Sequence, residues 1–89
     1  MKASVKTNIR RRLNIARGQM NGLVEMIDKE KYCVDIITQS SAIREALLGI
    51  ERLMLENHLS THVIEQIKSG KGKKATAEVL KIYQLGQQR

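Results

Sequence analysis

Cys33-Val34-Asp35-Ile36-Ile37-Thr38-Gln39-Ser40-Ser41-Ala42-Ile43-Arg44-Glu45-Ala46-Leu47-Leu48-Gly49-Ile50, running on through Glu51-Arg52-Leu53-Met54-Leu55-Glu56-Asn57-His58-Leu59-Ser60-Thr61-His62, decides the fold. It has no proline and no turn cluster, and it reads as one helix from near Tyr32-Cys33 to about Lys68. Ile36, Ser40, Ile43, Leu47, Ile50 and Met54 form one row along it, and Ala42, Ala46 and Gly49 form a neighbouring row of small residues. His58 and His62 stand four apart, which puts both imidazoles on one helical face, where they can share a metal. Cys33 is twenty-five residues before His58, so at ~1.5 Å rise per residue the two lie roughly 37 Å apart within one chain. They meet only if a second copy lies antiparallel, its Cys33 against the first copy's histidines. A metal site of this kind belongs to a dimer interface and occurs twice by symmetry. The midpoint between Cys33 and His58 falls at residues 45–46, within the small-residue row. That row suits either the close approach of a second copy or packing against the preceding helix.

Upstream, Val5, Ile9, Leu13, Ala16, Met20, Leu23 and Ile27 are spaced 4, 4, 3, 4, 3 and 4, a helical stripe for packing on another helix. Arg10, Asn14, Arg17 and Asn21 make a polar, basic strip on another face. Asp28-Lys29-Glu30-Lys31 reads as a short connection. Downstream, Ser69-Gly70-Lys71-Gly72 reads as a helix stop and loop, and a third helix from about Lys74 to Gln84 carries Ala75, Val79 and Ile82 on one side. The expectation is an all-α, three-helix, single domain over residues 1–89, without internal repeats or a linker.

Composition narrows the function. Eighty-nine residues with no Trp, no Phe and two Tyr leave an aliphatic core, which a second copy would help complete. The net charge is +7, and residues 1–24 hold Lys2, Lys6, Arg10, Arg11, Arg12 and Arg17 with no acidic residue. Lys68, Lys71, Lys73 and Lys74 form a second basic run. This polarity favours an anionic partner, nucleic acid before a membrane surface, the plainer alternative being a solubilising face. No apolar run resembles a signal peptide or a transmembrane span, so the expected location is the cytoplasm, where Cys33 stays reduced. A cysteine at a helix start faces the positive end of the helix dipole, which suits a thiolate ligand. One thiolate with two imidazoles makes a trigonal Cu(I) site or three quarters of a tetrahedral Zn(II) site. No base, nucleophile and oxyanion site occur together, so an enzyme is not expected. The long helices leave no place for a helix-turn-helix; DNA contact would come from a basic helical surface.

The chain resembles the copper-sensitive operon repressors and their nickel/cobalt-sensing relatives. Arg12-Leu13, Arg17-Gly18-Gln19, Gly22, Lys31-Tyr32-Cys33-Val34-Asp35-Ile36, Ile37-Thr38-Gln39, Ser41-Ala42-Ile43-Arg44-Glu45-Ala46-Leu47 and Leu55-Glu56-Asn57-His58-Leu59 carry the resemblance, which extends over residues 9–85. It implies a three-helix protomer that pairs into an antiparallel four-helix bundle and then into a disc-shaped tetramer. The implied function is repression: operator DNA is bound without metal and released when metal binds. By position, Cys33 of one protomer and His58 and His62 of the other are the implied ligands, where copper sensors more often have cysteine at the third position. Nickel/cobalt sensors use an additional N-terminal histidine, and residues 2–4 here are Lys2, Ala3 and Ser4. Cu(I) is therefore the expected effector, with Zn(II), Ni(II) and Co(II) as alternatives, and a non-regulatory metal-binding bundle as the reading from another class. The resemblance also implies a role for Tyr32 and Glu78 beside the metal-binding histidine, the carboxylate accepting the free N–H of His58. Lys6, Arg10, Arg12 and Arg17 are the expected phosphate contacts.

Overall fold

In the computed structural model, which describes residues 1–87, the chain folds as four helical segments: α1 (Ala3–Asp28), α2 (Cys33–Ser60), α3 (His62–Lys68) and α4 (Gly72–Gln87). No strand occurs among the described residues. The three expected helices are present, but the second is divided. Thr61, at φ −125° and ψ −78°, separates α2 from α3 where one unbroken helix to about Lys68 was expected. The cause is local. Ser60 Oγ donates to the Glu56 and Asn57 carbonyls at 2.9 and 3.2 Å, and Thr61 Oγ1 donates to the Asn57 carbonyl at 2.6 Å. Hydroxyls that bond back onto the preceding turn compete with the backbone ladder and bend a helix. The Glu65 N–H still reaches the Thr61 carbonyl at 3.0 Å, so helical bonding resumes at once. The last helix is longer than expected, beginning at Gly72 and running to Gln87.

Two left-handed residues end α1 and α3. Glu30 has φ 50°, with the Glu30 and Lys31 amides bonded to the Ile27 and Met26 carbonyls, both at 3.0 Å. Gly70 has φ 80°, with the Gly70 and Lys71 amides bonded to the Ile67 and Gln66 carbonyls at 3.2 and 2.7 Å. Both ends satisfy helix carbonyls that would otherwise be orphaned. Glycine fits this backbone freely, whereas Glu30 holds it against its own Cβ.

The chain divides into two compact units, Met1–Leu55 and the remainder from Glu56 on. In the first, Ile9 and Ala16 of α1 and Ile43 and Ile50 of α2 are buried. Gln39 Nε2 reaches across to the Gln19 carbonyl at 3.1 Å and ties the two helices together. Only part of the α1 stripe serves this packing. Leu13, Met20 and Ile27 of the same stripe stay exposed, as do Val24 on α1 and Ile37, Leu47 and Met54 on α2. On the helical wheel these α1 residues lie beside the buried edge, so α1 carries two adjoining apolar seams, of which one chain covers only the first. At mid-α2, Gly49 gives room to α1: a Cβ there would come 3.2 Å from Arg12 Nη1. Ala42, from the same small-residue row, is exposed.

In the second unit, α3 packs on α4, with Ala75 buried close to the start of α4 and Asn57 buried on the last turns of α2. No helix among the described residues is long and apolar enough to cross a membrane.

Candidate metal centre and basic helical face

His58 lies in the last turn of α2 and His62 opens α3, so the bend at Thr61 falls between them. Despite it, the i, i+4 spacing keeps their rings together, centroids 5.4 Å apart and planes inclined at 51°. His62 is exposed and His58 half-buried. The Nε2 of His58 is turned inward, buried and without a hydrogen-bond partner. Its neighbour is Glu78 of α4, whose Oε2 stands 3.8 Å away, inside ion-pair range and beyond hydrogen-bond length. With Nε2 buried on that side, Nδ1 is the ring nitrogen left to take a ligand. The other Glu78 oxygen, Oε1, accepts from Gln66 Nε2 at 3.1 Å, and Gln66 Oε1 is itself buried without a partner.

Cys33 begins α2 in the first unit as a free, exposed thiol. Tyr32 precedes it, 69 % exposed, and its carbonyl accepts the Asp35 and Ile36 amides at 3.0 and 3.2 Å, anchoring the first turn. Among the described residues of one chain, no three His, Cys, Asp or Glu groups converge on a metal-sized point. The structure thus brings together His58, His62 and Glu78 of the expected set. The residue types present suit a soft ion: two adjacent imidazoles, a free exposed thiol elsewhere on the chain, and a buried ring nitrogen facing a carboxylate.

The basic residues of α1 separate into two groups. Lys6, Arg10 and Arg17 are exposed and fall on one face of the helix, with Asn14 and Asn21 beside them. Arg12 faces elsewhere. It is half-buried, its Nε donates to Asn8 Oδ1 at 3.3 Å, and its Nη1 lies against Gly49. Arg11 is exposed, and its Nη2 shares the same Asn8 oxygen at 3.2 Å. Spacing alone missed Gln66 altogether. An amide on a short helix belongs to no motif, and only the packing of α3 on α4 shows what it touches.

The model of the metal-sensitive transcriptional repressor family matches residues 5–84. Over 78 residues the chain is 37 % identical to the copper-sensing transcriptional repressor CsoR of Bacillus subtilis, covering 88 % of this chain and 77 % of that protein. It is 38 % identical over 69 residues to the copper-sensing transcriptional repressor CsoR of Mycobacterium ulcerans, covering 78 % of this chain but only 59 % of that longer protein. Among solved structures, it is similar to the copper-sensing repressor CsoR with Cu(I) from Geobacillus thermodenitrificans, with a TM-score of 0.90 at 30 % identity. That match takes in 98 % of this chain and 91 % of the other.

Proposed function

Because this chain belongs to the metal-sensitive transcriptional repressors, we propose that it binds operator DNA in the metal-free state and releases it on binding Cu(I), acting in the cytoplasm. The observation that carries the reading is His58. Its ring sits beside His62 with Nε2 buried against Glu78, the arrangement in which one nitrogen can take a metal while the other reports it.

Cys33 of one copy would hold Cu(I) together with His58 and His62 of a second, antiparallel copy. On a regular helix a twenty-five-residue spacing returns to within roughly 20° of the same face, so one seam of α2 would carry both ends of the site. Ile37, Leu47 and Met54 are exposed apolar side chains of α2 that a second copy would cover. Leu13, Met20 and Val24 of α1 offer a like surface, and the assembly expected from these seams is the four-helix-bundle dimer and then a homotetramer.

The bound ion supplies positive charge that polarises the His58 imidazole. The remaining steps belong to the chain. His58, held through Nδ1, donates its Nε2–H to Glu78 Oε2, which needs the present 3.8 Å to close by about 1 Å. Tyr32 of the copy that supplies Cys33 would join this network beside the ring. Glu78 is on α4, so the closure draws that helix toward the end of α2 and changes the spacing of the basic faces in the assembly. Lys6, Arg10 and Arg17 would make the phosphate contacts that match DNA only in the metal-free shape. Arg12, engaged with Asn8, would support that face from behind. Metal and DNA then weaken each other equally, typically by ~1–3 kcal/mol.

A second imidazole in place of a second sulfur also suits Zn(II), Ni(II) or Co(II), and one titration separates the readings. The reduced protein bound to its own promoter DNA is titrated anaerobically with Cu(I), Zn(II), Ni(II) and Co(II), release being followed by fluorescence anisotropy. Release by Cu(I), lost in Cys33→Ala, is the expected result. Release by another of the ions reassigns the effector, and no release by any ion, or no preference for promoter over random DNA, overturns the regulatory reading.

A further inference from the structure

Glu78 has two oxygens and two neighbours. Gln66 Nε2 donates to Oε1 at 3.1 Å, and Oε2 is left pointing at His58 Nε2, 3.8 Å away. The Glu78 side chain is 39 % exposed, so nothing about burial fixes its direction. Without an anchor, a carboxylate this accessible turns to water. Gln66 is half-buried on α3, and the hydrogen bond from its amide across to α4 sets the carboxylate's rotation. Two atoms flanking Glu78 are buried and unpartnered, Nε2 of His58 and Oε1 of Gln66, so the network has unused hydrogen-bonding capacity and room to tighten.

We propose that Gln66 is a positioning residue for the metal response: by donating to Glu78 Oε1 it aims Oε2 at His58, so that the carboxylate is already placed when His58 takes up metal. The inference rests on the regulatory reading above and assigns the element that sets the strength of the response. A pre-oriented carboxylate loses no rotational freedom on closing, whereas a free one does, and the difference appears in the coupling between metal and DNA. The Gln66 side chain is bonded to Glu78, and Gln66 is neither one of the proposed metal ligands nor on the basic face of α1. Its removal should therefore leave the affinity of the metal-free protein for DNA unchanged while lowering the response.

Donation is isolated by a neutral variant: Gln66→Met keeps the length of the side chain, loses the donor and adds no charge beside Glu78. The quantity read is the ratio of promoter-DNA affinities without and with Cu(I), measured by anisotropy. Gln66→Met is expected to lower this ratio about fivefold or more. In metal-free protein, Glu78→Gln is expected to shift the Gln66 side-chain amide resonances, a readout that needs no metal. A wild-type ratio retained in Gln66→Met, or Gln66 amide resonances unmoved by Glu78→Gln, overturns the inference alone. A wild-type protein that no ion releases from DNA overturns the regulatory reading and takes the inference with it.

Discussion

Replacing Glu78 by Gln keeps the size and the acceptor of the side chain but removes its charge, which isolates the electrostatic part of the proposed switch. The carboxylate stands 3.8 Å from a His58 nitrogen with which it makes no hydrogen bond. At that distance a unit positive charge on the ring would attract the carboxylate by about 4 kcal/mol at an effective dielectric of 20 and about 1 kcal/mol in bulk water. The Glu78 side chain is 39 % exposed and His58 22 %, and the Cys33 thiolate offsets the charge of the ion, so the pair falls at the lower end, about 1 kcal/mol. The charge develops only when metal is bound, so this amount enters the coupling and not the metal-free affinity for DNA. The ratio of promoter affinities without and with Cu(I) should therefore fall about fivefold in Glu78→Gln, with metal-free affinity unchanged. Anisotropy titrations of the two proteins at matched salt give both numbers. A variant that binds Cu(I) and still releases DNA with the wild-type ratio would refute the role assigned to Glu78.

Glu30→Gly should raise stability, because glycine takes the φ of 50° without a Cβ clash; the expected gain is about 1 kcal/mol, or roughly 4–8 °C in thermal unfolding followed by circular dichroism. Removing Arg10 or Arg17 should weaken DNA binding, and each substitution should reduce the slope of log affinity against log salt by about 1, the share of a single neutralised phosphate. Arg12→Ala should leave that slope nearly intact and lower the thermal midpoint instead, since its guanidinium is bonded to Asn8 and packed near Gly49.

The helices could be read from the sequence because their spacing is physical: Val5 to Ile27 and Ile36 to Met54 repeat at the period that puts side chains on one helical face. Which partner each face meets was not legible. Leu13 and Met20 look the same in sequence as Ile9 and Ala16, yet the first pair is exposed in one chain and the second buried. Hydrophobicity reports that a residue is to be covered and not by what. The bend at Thr61 was hidden for a related reason. Serine and threonine are unremarkable within a helix until their hydroxyls choose the carbonyls of the preceding turn, as Ser60 and Thr61 do. At the site, the four-residue spacing of His58 and His62 is enough to predict adjacent rings, and 5.4 Å between centroids is what it produces. The hydrogen bond between Gln66 and Glu78 joins two helices across twelve residues, and no local pattern encodes it. The basic residues show the same limit, since Arg10, Arg12 and Arg17 differ only in the direction that α1 gives them.

The central claim is that the site is shared between copies, Cys33 from one and His58 with His62 from the other. Mixing Cys33→Ala with His58→Ala, unfolding and refolding them together, and counting tightly bound Cu(I) tests it directly. Neither variant alone should hold the ion tightly. The mixture should regain about one quarter of the wild-type sites, because random pairing makes half of the dimers mixed and each mixed dimer restores one of its two sites. A mixture that binds no more Cu(I) than its separate components would contradict the account.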